Sequence, residues 1–189
     1  MDNIKFLGIV GSLRKGSFNH LALKAAQDLV PQGAALTLVE LHGIPVFNQD
    51  EELSPPPAVL DFKRQILAAD AILFATPEYN YSVPGGLKNA IDWASRPYGQ
   101  SAWMGKPAAI LGASAGKMGS ARAQYHLRQI LVAQNMPVVN QPEVMIAEAA
   151  RWFDGKGVLT DAPTRQLIQK LLESLLALAR VNLLSMAAP

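Results

Sequence analysis

The sequence predicts a single doubly wound α/β domain, in which helices cover both faces of a parallel sheet. Short, continuous apolar runs alternate along the chain with longer segments of helical periodicity. Continuous apolar strands are typical of parallel sheets that right-handed crossover helices bury on both sides. With 189 residues, half of them hydrophobic and 17% charged, the chain is long enough to fill one such core.

The first half of the chain contains three predicted strands. The apolar run Ile4–Val10 is closed by Gly11, and the segment Ser17–Val30 that follows has the periodicity of an amphipathic helix. The next predicted elements are a strand at Ala35–Leu41, a surface loop at His42–Pro57, a helix that starts near Ser54–Pro57 and runs to about Ala69, and a buried strand at Asp70–Thr76.

The second half continues the alternation and ends in a long helix. The predicted elements are a helix at Gly85–Ala94, a strand at Lys106–Ala113, a helix at Gly119–Gln134 and a short fifth strand at Pro137–Val139. The final helix is marked by two columns of apolar residues at four-residue spacing, Leu167, Leu171 and Leu175 beside Ile168, Leu172 and Leu176. Residues 1–180 are predicted to form one domain, and residues 181–189 a loose tail whose Leu183, Leu184 and Met186 are available to dock on a partner subunit.

Composition excludes several functional classes. The 17 basic and 15 acidic residues give a net charge of +2 and are scattered, so no nucleic-acid partner is expected. The absence of cysteine excludes disulfides and thiolate chemistry, and His20, His42 and His126 are too dispersed for a metal motif. The N-terminal apolar run is too short for an export signal, and no apolar stretch is long enough for a membrane helix. A cytoplasmic location without membrane contact is therefore expected.

Ligands of doubly wound sheets bind outside the carboxyl ends of the strands, so the loops after the first, third and fourth strands are informative. The first, Gly11–Asn19, combines glycines, hydroxyls and Arg14 with a helix N-terminus, which suits a phosphate. It matches neither the triphosphate-binding P-loop, because Ser17 replaces the required lysine, nor the dinucleotide fingerprint, because Leu13 replaces its second glycine. A monophosphate fits better.

The other two loops suit a planar polar ring. In the loop 76–86, prolines stiffen the backbone and Tyr79 and Tyr81 offer flat surfaces. An ordinary Pro-Gly turn with two exposed tyrosines would explain the same composition. In the loop 112–120, small residues let a ligand approach the backbone, and Ser114 can donate a hydrogen bond to it.

Three motifs in order resemble the NAD(P)H-dependent FMN reductase family, and most of all its chromate and quinone reductases. They are the segment Gly11-Ser-Leu-Arg-Lys-Gly-Ser-Phe-Asn19, the segment Pro77-Glu-Tyr-Asn-Tyr-Ser-Val-Pro-Gly-Gly-Leu-Lys-Asn-Ala-Ile-Asp-Trp93, and the segment Gly112-Ala-Ser-Ala-Gly116. The likeness spans about residues 4 to 148. One departure is Ser120, where many relatives carry glycine; in this chain Ser120 is expected to cap the following helix.

The resemblance implies a flavodoxin-like, three-layer fold with five parallel strands in the order 2-1-3-4-5 and a non-covalent FMN. It assigns the phosphate to Ser12, Arg14, Ser17 and Asn19. It assigns the isoalloxazine ring to Pro77, Glu78, Tyr79, Asn80 and Ser82 on one edge, and to Ser114 and Gly116 on the other. NADH or NADPH would reduce the flavin, which would then reduce a quinone, azo compound, chromate or free flavin, with no catalytic side chain. Relatives are usually homodimers or homotetramers.

Two alternative functions share parts of this pattern. Gly112-Ala-Ser114-Ala-Gly116 satisfies the nucleophile elbow of serine hydrolases, but no acid separates Ser114 from His126, the only later histidine. A non-enzymatic electron carrier would share the fold and the FMN, but such carriers usually have a strongly acidic surface. The residues leave open the choice between NADH and NADPH, the natural acceptor, and whether Trp103 packs in the core or borders the acceptor.

Overall fold

The computed structural model describes residues 3–187, which form a parallel sheet flanked by helices. The five strands are β1 (Ile4–Val10), β2 (Ala34–Glu40), β3 (Ala71–Ala75), β4 (Ala108–Ala113) and β5 (Val144–Ile146). Their order across the sheet is β2-β1-β3-β4-β5, and all four pairings are parallel. This confirms the flavodoxin-like order 2-1-3-4-5. All residues of β3 and β4 are buried, as the unbroken apolar runs predict.

Helices connect the strands across both faces of the sheet. They are α1 (Phe18–Asp28), α2 (Pro57–Ala68), α3 (Gly85–Ala94), α4 (Ala121–Val132) and α5 (Ala162–Ala187). Single turns of 3₁₀ helix lie at Gln49–Glu51 and Ala149–Arg151. Residues 181–187 continue α5, so this part of the expected loose tail is helical. The side chain of Met186 and residues 188–189 lie outside the described part of the chain.

The fifth strand is displaced from its predicted position. It lies at Val144–Ile146 and pairs with the carboxyl half of β4. The predicted segment Pro137–Val139 forms only an isolated parallel bridge, Val138 with Ala108, at the amino end of β4. Both apolar segments therefore contact β4. Only the later one forms a ladder, because the chain leaves the sheet between them through residues 140–143.

The core consists of two apolar layers, one on each face of the sheet. One layer packs α1 and α5 against the sheet through residues such as Leu23, Ile168 and Leu172. The other packs α2, α3 and α4 through residues that include Trp103. Trp103 is fully buried, and its indole N–H donates to the carbonyl of Ile91 at 3.0 Å. It is a core residue, so it does not border an acceptor.

Among residues 3–187, no helix combines the length and the apolar character needed to cross a membrane.

Candidate functional site

An open cleft lies where the carboxyl ends of β1, β3 and β4 meet at one edge of the sheet. Its volume is about 200 Å³. Eight of the site residues predicted from the sequence line it: Ser12, Arg14, Ser17, Asn19, Pro77, Glu78, Tyr79 and Ser114. Three others, Asn80, Ser82 and Gly116, are not part of its lining, which also includes Phe18, Ala113 and Ala115. The three loops singled out from the sequence therefore converge on one cleft.

The first loop brings two serine hydroxyls to the N-terminus of α1. Ser17 is the N-cap of α1, and its Oγ accepts a hydrogen bond from the backbone N–H of Asn19 at 3.2 Å. Ser12 Oγ accepts one from the N–H of Arg14 at 3.3 Å. Each hydroxyl keeps its own hydrogen for donation, and the first turn of a helix has N–H groups without intrahelical partners. The hydrogen-bond donors at this end of the cleft suit an anion.

Arg14 adds a positive charge to the same end of the cleft. Its side chain is exposed, and its guanidinium carbon lies 5.8 Å from the centroid of the Phe18 ring. Phe18 was not predicted as a site residue, because an aromatic residue at the first position of a helix is indistinguishable in sequence from a core residue.

Asn19, which lines the cleft, also connects the first loop to the end of β4. Its side chain is buried and makes two hydrogen bonds with the backbone of Ala113. The amide donates to the carbonyl of Ala113 and accepts from its N–H, each at 2.9 Å. The carbonyl oxygen and one amide hydrogen of Asn19 are thus bound to the end of β4. The residue positions the first loop against the third.

The second loop contains a two-residue hairpin turn. Tyr79 and Ser82 exchange backbone hydrogen bonds of 3.0 Å in both directions. The residues between them, Asn80 and Tyr81, have φ angles of 49° and 68°, as such turns require at both central positions. Ser82 Oγ lies 3.1 Å from Nδ1 of His126 on α4. The turn explains why Tyr79 lines the cleft whereas Asn80, at the tip, does not.

Glu78 lines the cleft, but its carboxylate is bound to α4. It accepts hydrogen bonds from the backbone N–H groups of Arg122, at 3.0 Å, and Ala123, at 3.4 Å. It also accepts a hydrogen bond from Nε of the Arg122 side chain and forms an ion pair with its Nη2. The hydrogen bond to Glu78 raises the pKa of the Arg122 guanidinium. Arg122 also stacks on the ring of Tyr81, with 3.7 Å between its guanidinium carbon and the ring centroid.

The backbone of the third loop at Gly112 lies very close to Ser120 and Thr76. A Cβ atom added to Gly112 would lie 1.7 Å from Oγ of Ser120 and 2.6 Å from the carbonyl oxygen of Thr76. Ser120 occupies the N-cap position of α4, but its φ of 65° is left-handed and its side chain makes no capping bond. The prediction that Ser120 caps the helix is therefore wrong. Its Oγ instead accepts a hydrogen bond from Gln124 at 3.3 Å.

The contacts of Ser114 do not favour the hydrolase alternative. Its hydroxyl bonds within its own loop, to the carbonyl and N–H of Gly116, at 3.1 Å each. His126, the histidine that a catalytic triad would need, contacts Ser82 instead. In the described part of the chain, Ser114 is therefore not paired with a base.

Charged groups outside the cleft form ion pairs at the surface. Lys88 and Asp92 form an exposed ion pair at 2.8 Å on α3. Two of the dispersed histidines approach one carboxylate, Nδ1 of His20 at 3.1 Å and Nε2 of His42 at 3.6 Å from Glu40. No group of three or more metal-ligating side chains is present among residues 3–187.

A flavodoxin-like sheet with an anion-binding first loop and an aromatic second loop at its switch point defines an FMN-binding class of α/β protein. Residues 4–151 match the model of a family described as NADPH-dependent FMN reductase, so the chain belongs to that family. It is an oxidoreductase and a flavoprotein that uses NAD(P)H.

Similarity extends well beyond the motifs. An NAD(P)H-dependent FMN reductase of Pseudomonas aeruginosa is 59% identical over 175 residues, which cover 92% of this chain and 94% of the relative. A quinone reductase of Pseudomonas putida is 45% identical over 175 residues, which again cover 92% of this chain and 94% of the relative. Among solved structures, the flavoenzyme NAD(P)H:acceptor oxidoreductase of Paracoccus denitrificans is 38% identical with a TM-score of 0.87, and the match covers 95% of this chain and 98% of that one.

The residues of the cleft fit FMN on their own chemistry. Hydroxyl donors, the N-terminus of α1 and Arg14 suit its phosphate, whereas Tyr79 and the small residues Ala113 and Ala115 suit a flat ring.

Proposed function

We propose that this protein transfers two electrons from NAD(P)H to a quinone through FMN bound in the cleft. The overall reaction balances as NAD(P)H, a proton and quinone giving NAD(P)⁺ and hydroquinone. The observation that carries the proposal is the convergence of Ser12, Arg14 and Ser17 with Tyr79 on one open cleft at the switch point of the sheet. The names of the relatives, which include several quinone reductases, support this acceptor class.

In this proposal, the protein binds FMN and orients its ring. Ser12, Arg14 and Ser17 hold the phosphate, and Pro77, Tyr79 and Ser114 border the ring. FMN, when bound, supplies the two-electron chemistry. A hydroxyl and guanidinium cradle at one end and an aromatic wall at the other would fix the ring with one face toward the opening, where the donor and the acceptor bind in turn.

An open ring face with few recognising side chains permits several acceptors. Azo compounds, chromate and free flavin are therefore further proposed acceptors, at rates set by their own reduction chemistry. The electron-carrier alternative is not favoured, because the matched family and the relatives are named as reductases.

Assembly and location are proposals as well. A homodimer or homotetramer is supported by the exposed Tyr125 and Gln129 on α4, since aromatic and polar residues together are frequent at protein interfaces. A cytoplasmic location is supported by a chain without cysteine, which has no need of an oxidising compartment.

The test combines flavin binding with turnover. The purified protein should bind FMN with an altered visible flavin spectrum, and a benzoquinone should increase its rate of NADPH or NADH oxidation above the rate without added acceptor. Arg14→Gln should weaken FMN affinity about tenfold to a hundredfold, because a hydrogen bond between charged groups contributes about 1.5–3 kcal/mol.

The matched control is Lys24→Gln, which removes an exposed cation from the middle of α1 and should leave FMN affinity unchanged. A wild-type protein that does not take up FMN from excess would contradict the proposal. So would equal effects of the two variants.

A further inference from the structure

Helix α4 begins without a capping side chain of its own. Helix N-termini present N–H groups that have no intrahelical acceptor and are usually capped by the residue just before the helix. In α4 that residue is Ser120, which is left-handed and makes no capping bond. The acceptor comes from another loop, because the Glu78 carboxylate receives the N–H groups of Arg122 and Ala123.

The Glu78 carboxylate is buried and fully engaged with α4. Its side chain is only 8% exposed, although the residue lines the cleft. A carboxylate with so little access to water must be paired to remain charged. Among residues 3–187, the hydrogen-bond partners of this carboxylate belong to Arg122 and Ala123, which are outside the cleft lining. Glu78 therefore connects the cleft wall to a helix behind it.

Two further contacts attach the same hairpin to α4. The Arg122 guanidinium stacks on Tyr81 at 3.7 Å, and Ser82 contacts His126 at 3.1 Å. Residues 78–82 are thus held on α4 at three points, at the base, at the tip and on the returning strand. Tyr79, the aromatic residue that lines the cleft, lies within residues 78–82.

We propose that Glu78 is a positioning residue for the flavin site: by binding the N-terminus of α4 and the side chain of Arg122, it holds the Tyr79 wall at the distance that the ring requires. The identity of the ligand in this inference rests on the proposed function. Glu78 then acts through α4 and Tyr79, and its contribution depends on Arg122, a residue that does not line the cleft.

Direct electrostatics and positioning make opposite predictions for Glu78→Gln. If Glu78 and Arg122 acted on the FMN phosphate only through their charges, Glu78→Gln would strengthen FMN binding and Arg122→Met would weaken it. If they position the wall, both variants weaken binding. Glutamine cannot replace the carboxylate, because its amide would turn a donor toward either the guanidinium or the N–H groups of α4.

The experiment measures FMN dissociation constants and the visible circular dichroism of bound flavin for Glu78→Gln, Arg122→Met and the double variant. We expect each single variant to raise the dissociation constant about tenfold and to change the flavin signal, and the double variant to be no worse than Glu78→Gln. We also expect KM for the quinone to rise more than kcat falls. Asp92→Asn, which breaks the exposed pair on α3, is the control and should match wild type.

Several results would overturn the inference: an effect of Glu78→Gln without one of Arg122→Met, opposite effects of the two, additive effects, or no effect of either. If Glu78→Gln does not fold, Arg122→Met and Arg122→Lys decide it, because lysine should restore part of the FMN affinity and an unchanged affinity in both would overturn it. Failure of the proposed function is separate: wild-type protein would not bind FMN, while hydrogen exchange at the Arg122 and Ala123 amides would still report whether Glu78 protects them.

Discussion

At the scale of single residues, close backbone approaches position the loops. The glycine at 112 lets β4 pass beside Thr76, the residue that follows β3, and beside Ser120, which precedes α4. Any side chain there would enter space that a buried hydroxyl and a backbone carbonyl already fill. One residue without a Cβ therefore allows the second and third loops to approach each other.

Gly112→Ala is predicted to lower the free energy of unfolding by about 3 kcal/mol, the upper range for overpacking a core site. The added Cβ lies 2.6 Å from the Thr76 carbonyl oxygen, so backbone as well as the Ser120 side chain has to move. Urea denaturation followed by circular dichroism measures the change. Gly85→Ala is the control, because no atom lies within 4 Å of its added Cβ; a similar loss in both variants would refute the steric explanation.

At the scale of elements, helix ends depend on side chains from elsewhere in the chain. Glu78 caps the start of α4, and Lys106 caps the end of α2. The ammonium of Lys106 donates to the carbonyl of Ala69 at 2.6 Å and to that of Leu67 at 3.4 Å. Both carbonyls lie at the C-terminus of the helix, where the dipole favours a cation.

The partly buried position of Lys106 leads to a pH prediction. Burial lowers the pKa of its ammonium, an effect that the nearby Asp70 partly offsets. The folded protein therefore releases this proton at a lower pH than the unfolded chain does, so between the two pKa values the contribution of Lys106 to stability rises with pH. Compared with Lys106→Met, the wild-type stability advantage should grow between pH 8 and about 10.5, the ordinary range of a lysine pKa. Urea denaturation at both pH values measures it, and a constant difference would contradict the prediction.

Element types could be read from the sequence where local pattern determines them. The apolar runs of β1, β3 and β4 and the periodicity of α5 are properties of contiguous residues, and each lies where it was predicted. The fifth strand was placed wrongly because Val138 and Val144 both sit in apolar triplets. Pairing with β4, a contact between distant residues, decides which of the two forms a ladder.

The residues that line the cleft could be predicted from the sequence, but some of their hydrogen bonds could not. Loop composition and the strand order bring Ser12, Arg14, Ser17 and Tyr79 to one cleft. The sequence does not show which polar side chains form hydrogen bonds within the protein. The Asn19 side chain binds the backbone of Ala113, and the Glu78 carboxylate binds the N-terminus of α4. Those assignments depend on distances between loops that are 44 or 94 residues apart in the chain.

At the scale of the whole molecule, the two faces of the sheet are covered by helices whose outer surfaces differ. The α4 face carries Tyr125, which is 51% exposed, and Gln129. Arg122 lies on the same helix but forms an ion pair with Glu78 within the chain. The surface that we propose as a subunit interface is therefore centred on the side chains of Tyr125 and Gln129.

Tyr125→Asp is predicted to shift the protein toward smaller species in size-exclusion chromatography at micromolar concentration. A charge placed in an interface cannot be solvated there without separating the subunits. Lys24→Gln, on a different helix, serves as the control for surface changes that leave assembly intact. An unchanged elution volume for Tyr125→Asp would show that this face of α4 is not an interface.

The double hydrogen bond of Asn19 to Ala113 has a practical consequence. It joins the start of α1 to the end of β4 through protein atoms alone, so removing the cofactor does not break it. An apoprotein prepared under mild conditions should keep these two hydrogen bonds. It should then accept synthetic flavin analogues on simple mixing, without a refolding step. This would make the chain a convenient host for reconstitution with flavins of altered reduction potential.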